Sequence, residues 1–421
     1  MHKITTLKNG LRIITVPQKN SQAVTILVLV GTGSKYETKE TSGISHFLEH
    51  LYFKGTKKRP TPLAVAEELD KLGGIFNAFT GEEYTGYFAK VDALHFETAL
   101  DWVSDIYLNS LLPSKEIEKE RGVIIEEINM YLDTPMIYVG ELWKTLLYGD
   151  QPAGWDIAGT KETIGRISKE QILDYRKSQY VASNTIVCVA GKIDSPKIIS
   201  QIKKYFSRIR TTQPQKKLPV VEKQNKPQIL LSPKKTDQTH LILGVRTFNI
   251  LHPDHFILEI LGIILGGMMS SRLFVEVREK LGLAYYVKTD NEADPDAGYL
   301  ITRAGVDNRR VDKAISTILK EYKKISEKKV SLSELKKAKD NFKGKLSLLL
   351  EPSDAKASFY AGQELLEKRI LTPKEMFNIV DKITTDDILK VAKAIFRPER
   401  LNLALIGPTK DKAKFQQLLK L

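Results

Sequence analysis

Cysteine and long apolar runs are the two things this sequence has least of. Its 421 residues include a single cysteine, Cys188, which excludes an intramolecular disulfide framework and a zinc site built from several thiolates. No stretch approaches 18 consecutive apolar residues, so we expect no membrane-spanning helix and no membrane partner. The first residues lack the apolar core of a signal peptide, and we expect a cytoplasmic protein.

Basic residues are in excess but are not concentrated. The chain has 65 Lys and Arg against 51 Asp and Glu, hence a net charge of +14, spread mostly as single lysines on polar faces. Scattered charge is typical of a solubilising surface, so we predict no nucleic-acid partner. A basic nucleic-acid-binding protein is the alternative that the net charge alone allows.

An internal repeat organises the chain. Residues 167–173 (ISKEQIL) match 383–389 (ITTDDIL) at an offset of 216, and two apolar strand-like segments, 25–29 and 185–190, have counterparts at the same offset. A repeat of this length indicates a duplicated domain. The segment from 211 to 235 holds four prolines and many lysines, which is typical of a linker.

These observations predict two homologous domains, residues 1–215 and 228–421, joined by a linker over 216–227. Runs of helix-like periodicity in each half follow or precede strand-like segments rather than alternating with them strictly. This order favours an α+β fold class, with a mainly antiparallel sheet packed against helices in each domain.

The clearest chemical motif lies in residues 46–50 (HFLEH). On a helix, His50 lies about 40° from His46 around the axis and Glu49 about 60° to the other side, so the three side chains share a face. Two imidazoles four residues apart can hold one Zn²⁺, and a neighbouring carboxylate can take a proton from bound water. The alternative is an amphipathic helix that carries these side chains on its solvent-exposed face without binding metal.

The acidic run 116–127 contains the candidates for a third metal ligand. Glu120 and Glu127 are seven residues apart and lie on one helical face. Glu127 could complete a site of two histidines and one glutamate, with Glu120 orienting a ligating histidine. Periodicity alone does not choose between Glu126 and Glu127, and a charged helix surface explains the run equally well.

Residues 43–56 (GISHFLEHLYFKGT) resemble the signature of the pitrilysin/insulysin family of inverted-zincin metallopeptidases, and most of all its mitochondrial processing peptidase-like branch. That family places its third ligand 77 positions after the second histidine, within a pattern that residues 120–127 (ERGVIIEE) fit. The resemblance covers nearly the whole chain. It implies a processing-peptidase-like fold, with His46, His50 and Glu127 as zinc ligands and Glu120 as the supporting acid.

Two other segments resemble the family's substrate sites. The first contains Asn77, Ala78 and Phe79, in a strand expected at a sheet edge, where an extended peptide could pair with unsatisfied backbone groups. The second contains Arg278 and Tyr285, which resemble an Arg/Tyr pair that binds substrate carbonyls or stabilises the oxyanion. From the residues alone, a plain strand and a helix end are the alternatives.

The resemblance implies a zinc endopeptidase that cleaves unfolded or short peptides in a chamber between domains. Its cofactor would be one Zn²⁺ per chain, and Glu49 would be the general base for zinc-bound water. The chain is half the length of relatives that enclose a chamber alone, so we predict a homodimer in which Arg278 and Tyr285 of one subunit face the zinc of the other. A non-catalytic partner subunit built on this fold is the alternative.

Two details of the sequence add expectations. At the 216-residue offset, His46, Glu49 and His50 fall on Gly262, Leu265 and Gly266, so the second half should keep the fold without the metal site. A preference for basic peptides would need acidic walls around the site. Five glutamates could supply them: Glu82, Glu83, Glu116, Glu118 and Glu126.

Overall fold

Two β-sheets with the same strand order organise the chain, as seen in a computed structural model that describes residues 2–421. The first sheet contains β1 (Lys3–Thr6), β2 (Arg12–Pro17), β3 (Ala23–Val30), β4 (Ile75–Thr80), β5 (Thr85–Asp92) and β6 (Thr185–Gly191). The second contains β7 (Gln228–Pro233), β8 (Gln238–Arg246), β9 (Ala284–Ala293), β10 (Gly298–Asp307) and β11 (Leu401–Gly407).

The strand orders are β1-β2-β6-β3-β5-β4 and β7-β11-β8-β10-β9, so five strands of one sheet have counterparts in the other. In each sheet one pair is parallel, β2 with β6 and β7 with β11, and the remaining pairs are antiparallel. The predicted α+β class, with two homologous and mainly antiparallel sheets, is therefore confirmed.

The helices surround these sheets in the same sequence order in both halves. Those of the first half are α1 (Ile44–Leu51), α2 (Pro62–Asp70), α3 (Phe96–Asn109), α4 (Ser114–Leu132), α5 (Pro135–Tyr148), α6 (Lys161–Arg166), α7 (Lys169–Gln179) and α8 (Ser195–Tyr205). Those of the second are α9 (His255–Gly266), a π-helix (Phe274–Lys280), α10 (Val311–Glu327), α11 (Leu332–Leu349), α12 (Ser353–Leu366), α13 (Pro373–Lys382), α14 (Thr385–Ile395) and α15 (Lys412–Leu418).

The repeat extends to local capping chemistry. The helix α7 begins with a capping box between Ser168 and Gln171, and α14, at the offset of 216, begins with one between Thr384 and Asp387. A capping box satisfies backbone N–H groups that a helix N-terminus leaves without partners. The same local solution at matching positions supports duplication of an ancestral unit.

The chain divides into two compact units that exchange one helix each. Unit 1 comprises residues 1–129, 155–218 and 349–370, and unit 2 comprises 130–154, 219–348 and 371–421. The predicted domains 1–215 and 228–421 differ from these units by the exchanged segments, which carry α5 and α12. The boundary between 218 and 219 lies inside the predicted linker 216–227, which contains no helix or strand.

The exchange follows from the apolar character of the central strands. Every residue of β6 and of β11 is buried, so each sheet needs cover on both faces. In unit 1, Ala357 and Ala361 of α12 pack in a cluster that includes Cys188 of β6. In unit 2, α5 packs Trp143 and Leu147 against β8 and β11.

Within residues 2–421, no helix is both long and apolar enough to cross a membrane.

Candidate active site

The helix α1 is held at its N-terminus by a buried carboxyl group. Glu37 is 6% exposed, and its two oxygens accept hydrogen bonds from the backbone N–H groups of Gly43 at 2.7 Å and Ser45 at 2.8 Å. These N–H groups belong to the set that a helix start leaves without partners. Glu37 therefore fixes the position from which His46, Glu49 and His50 project, although no motif in the sequence points to it.

Stability should depend on pH through Glu37. Burial raises the pKa of Glu37 from 4.5 to about 8, against hydrogen bonds from Ser45 and Gly43 that lower it. The folded state then holds a proton that the unfolded state releases, so this group's contribution to the free energy of unfolding falls as the pH rises from 4.5 to 8. In urea unfolding, the free energy of unfolding of wild type minus that of Glu37→Gln should therefore fall across that window. A flat difference would contradict the shift.

Three predicted metal ligands converge on one point between α1 and α4. The Nε2 atoms of His46 and His50 are 3.2 Å apart, and Glu127 Oε2 lies 3.6 Å from the first and 3.5 Å from the second. Among the described residues, His46, His50 and Glu127 form the cluster of His, Cys, Asp or Glu side chains that could hold a metal ion. Glu126, the other candidate, is exposed and accepts a hydrogen bond from Asn129 instead.

The triangle fits zinc. Ligands at about 2.0–2.1 Å in a tetrahedron are separated from one another by roughly 3.3–3.4 Å, close to the three distances observed. Two imidazoles and one carboxylate are also the donor set of many catalytic zinc sites, in which a fourth position stays open. The donor atoms therefore suit Zn²⁺ in both chemistry and spacing.

The two histidines differ in their affinity for protons. Burial, assisted by the nearby His50, lowers the pKa of His46 to about 4, so this imidazole is neutral at pH 7. Burial also opposes charge on His50, but hydrogen bonds to Glu120 and Glu127 outweigh it and raise its pKa to about 9. His50 can thus donate from Nε2 to the neutral His46. A metal ion at this point would take the place of that proton.

Glu120 supports His50 from the side away from Glu127. Its carboxylate accepts from His50 Nδ1 at 3.2 Å and from Lys54 Nζ at 2.7 Å, and its side chain is 4% exposed. Burial alone would raise the pKa of Glu120, but the bonds from His50 and Lys54 hold it below its ordinary value. An Nδ1–H bonded to a carboxylate leaves Nε2 to bind metal. Lys54 was missed, although its position four residues after His50 was an available signal.

Glu49 lies beside this triangle and contacts a strand. Its Oε2 accepts a hydrogen bond of 2.5 Å from the hydroxyl of Thr80, the last residue of β4. Burial raises the pKa of Glu49, whereas the bond from Thr80 lowers it. A half-buried carboxylate with a raised pKa is a stronger proton acceptor than an exposed one.

The strand β4 lies at the edge of the first sheet, as predicted from the sequence. Asn77 is exposed, and its side-chain oxygen accepts a hydrogen bond from the N–H of Ala78 at 2.9 Å. The Phe79 ring is partly buried and packs over Gly86 of β5, where a Cβ would collide with it. The edge is therefore free to pair along its backbone, while Phe79 also has a packing role.

Arg278 and Tyr285 lie together in unit 2. Arg278 is in the π-helix and its guanidinium lies over the Tyr285 ring, 5.9 Å from the ring centre. Tyr285 is the second residue of the edge strand β9 and is 76% exposed. The two side chains thus form a pair on the surface of their unit.

The second half carries no counterpart of the metal triangle at the repeat positions. Gly266, which aligns with His50 at the offset of 216, packs so closely on β9 that a Cβ would collide with Thr289. No imidazole fits there.

The prediction of acidic walls around the site is wrong at one position. Glu83 is 3% exposed and bonded to Lys35 at 3.0 Å, so it does not present charge to a substrate.

Two family models and several curated relatives match most of this chain. Residues 12–161 match the family model described as insulinase (peptidase family M16), and residues 166–342 match the one described as the peptidase M16 inactive domain. The chain is 35% identical to an uncharacterized zinc protease of Bacillus subtilis, YmxG, over 97% of this chain and 99% of that one. It is also 35% identical to an uncharacterized zinc protease of Rickettsia felis, over 96% and 97% of the two chains.

Solved structures share the fold. A protease from Helicobacter pylori superposes with a TM-score of 0.89 at 26% identity, over 97% of this chain and 99% of that one. A peptidase M16 inactive domain from Pseudomonas fluorescens has a TM-score of 0.88 over 97% and 98% of the two chains. At 15% identity the second likeness concerns the fold alone.

Proposed function

Because the chain belongs to the insulinase family (peptidase family M16), we propose that it is a zinc endopeptidase acting on unfolded or short peptides. The observation that carries the proposal is the triangle of His46, His50 and Glu127, whose donor atoms lie 3.2 to 3.6 Å apart. These residues would hold one Zn²⁺ per chain. Bound there, zinc would supply Lewis acidity, which polarises a carbonyl and lets water lose a proton near neutral pH.

Glu49 is proposed as the general base. It adjoins His50 on α1, and burial raises its pKa. Its Oε2 is occupied by Thr80, so Oε1 is the oxygen left to accept a proton from the attacking water. The same carboxyl group would then deliver the proton to the amine that leaves when the peptide bond breaks.

The edge of β4 is proposed to bind the substrate. An extended peptide would continue the first sheet beyond β4 through backbone hydrogen bonds, which recognise extended chains regardless of their sequence. A substrate carbonyl would displace the Asn77 side chain from the N–H of Ala78, and the freed amide could then bind the peptide. Only unfolded segments can add as a strand, hence the proposed preference for unfolded or short peptides.

Arg278 and Tyr285 are proposed to bind substrate carbonyls or the developing oxyanion. As the chain is expected to act as a homodimer, this pair in one subunit would serve the metal site of the other. The expected result is a dimer mass in sedimentation equilibrium, and cleavage restored when inactive Glu49→Gln and Arg278→Ala subunits are mixed. An active monomer would exclude the dimer while leaving the zinc site intact.

Removing the metal tests the function itself. We expect purified protein to cleave an unstructured fluorogenic peptide, to lose cleavage on dialysis against a chelator, and to regain it with one equivalent of Zn²⁺. A parallel Glu49→Gln preparation controls for contaminating proteases. Cleavage that persists in metal-free protein would contradict the proposal. A protein that neither binds zinc nor cleaves would instead be a non-catalytic subunit built on this fold.

A further inference from the structure

We propose that Thr80 is a positioning residue for Glu49, which links the substrate-binding strand to the base. The inference rests on the proposed function, because it concerns how the carboxylate is aimed in that reaction. It starts from the hydrogen bond of 2.5 Å between the Thr80 hydroxyl and Glu49 Oε2. Among residues 2–421, Thr80 is the hydrogen-bond donor to the Glu49 carboxylate. Hydrogen bonds from a hydroxyl to a carboxylate are short and strong.

The strand direction explains why Thr80 reaches the helix. Successive residues of a strand point to opposite faces, so Phe76, Ala78 and Thr80 share one face of β4. The Phe76 ring packs against Trp102 of α3, with ring centres 5.0 Å apart, which places that face toward the helical layer. Thr80 therefore points toward α1, and its hydroxyl fixes which carboxylate oxygen stays free for the proton.

One short loop holds both partners of this bond. The loop, residues 31–37, follows β3, and at its end Glu37 accepts the N–H groups of Gly43 and Ser45 at the start of α1. This contact sets the position of the helix that carries Glu49.

The same loop clamps the turn that follows Thr80. The N–H of Ser34 donates to the Gly81 carbonyl at 3.2 Å, and the N–H of Lys35 donates to the Glu82 carbonyl at 3.0 Å. Gly33 allows this approach, because a Cβ there would collide with the Gly81 carbonyl oxygen. The buried Lys35–Glu83 pair reinforces the clamp. The loop thus sets the distance between α1 and the end of β4, so the hydroxyl and the carboxylate meet without rearrangement.

The arrangement couples substrate to chemistry. Thr80 ends the strand whose free edge is proposed to pair with the peptide, so a bound peptide would order the backbone that carries the hydroxyl. The bond itself touches the base and not the peptide. Losing it should therefore lower kcat and leave KM unchanged, as expected for an interaction that matters in the transition state.

The test compares Thr80→Val, which keeps the shape and removes the hydroxyl, with Thr80→Ser, which keeps the hydroxyl. We expect kcat for peptide cleavage to fall about 10- to 100-fold in Thr80→Val, the usual range for a hydrogen bond to a charged group, and to stay near wild type in Thr80→Ser. Zinc content should be unchanged by Thr80→Val, and so should the affinity of an uncleaved peptide measured in a Glu49→Gln background. Thermal unfolding should remain cooperative. In that background the substitution should also add no further loss of residual cleavage.

Several results would overturn the inference. Unchanged kcat in Thr80→Val, or equal losses in the Val and Ser variants, would leave Thr80 with a packing role only. Loss of zinc or of peptide affinity in Thr80→Val would show that it acts on the fold or the ligands. These failures are distinct from failure of the proposed function, in which wild type itself neither binds zinc nor cleaves, and which would also remove the basis of this inference.

Discussion

Glu49→Gln is expected to lower kcat for peptide cleavage by about 10²- to 10⁴-fold, the range that a positioned general base contributes. Gln has nearly the shape of Glu but cannot accept the proton. The Thr80 hydroxyl can still donate to its amide oxygen, so the side chain should keep its place. The three proposed ligands are untouched, and zinc bound per chain, measured by atomic absorption, should equal that of wild type.

The control for Glu49→Gln is Glu126→Gln, which removes a carboxylate of the same type outside the metal triangle. Glu126 is exposed and bonds to Asn129, so both zinc content and kcat should match wild type. Undiminished cleavage by Glu49→Gln would contradict the mechanism while leaving the family and fold unaffected. Loss of zinc together with cleavage would mean that Glu49 contributes to metal binding.

Much of the fold was predictable because its signals are local. Helical and strand periodicity located segments close to α1, α4 and β4, and the offset of 216 identified the duplication. The exchange of α5 and α12 between the units was not predictable in the same way. Which sheet an apolar helix covers depends on contacts between residues far apart in sequence, and a single sequence does not encode those distances in its periodicity.

The site was predictable to the extent that it lies on one helix. The four-residue spacing of His46 and His50 indicated two candidate ligands, and the resemblance selected Glu127 as the third, which periodicity had left open against Glu126. Thr80 and Glu37 escaped notice because each meets α1 from a separate strand or loop. Thr80 is 31 residues from Glu49 in the sequence, and Glu37 is 8 residues from Ser45. These contacts depend on the tertiary fold rather than on a helical or strand repeat.

The choice between adjacent glutamates also gives the sharpest test of the metal site. Glu127→Ala removes one corner of the triangle and leaves two imidazoles, whereas Glu126→Ala shortens the neighbouring exposed side chain. Both substitutions remove one negative charge from the same turn of α4 and leave a good helix former. The two variants therefore differ mainly in whether the lost oxygen faced the histidines.

Loss of a residue that only supports a metal ligand typically lowers metal affinity about 10- to 100-fold. We expect a larger fall in zinc affinity for Glu127→Ala. Glu126→Ala should bind zinc like wild type. Competition with a chromophoric chelator measures both affinities, and Glu120→Gln supplies the intermediate case, because it weakens only the bond to His50 Nδ1. The expected order of zinc affinity is wild type and Glu126→Ala, then Glu120→Gln, then Glu127→Ala. If Glu126→Ala lost zinc and Glu127→Ala kept it, the ligand assignment would be wrong by one residue. Equal affinity in all four would mean that the triangle is not where zinc binds.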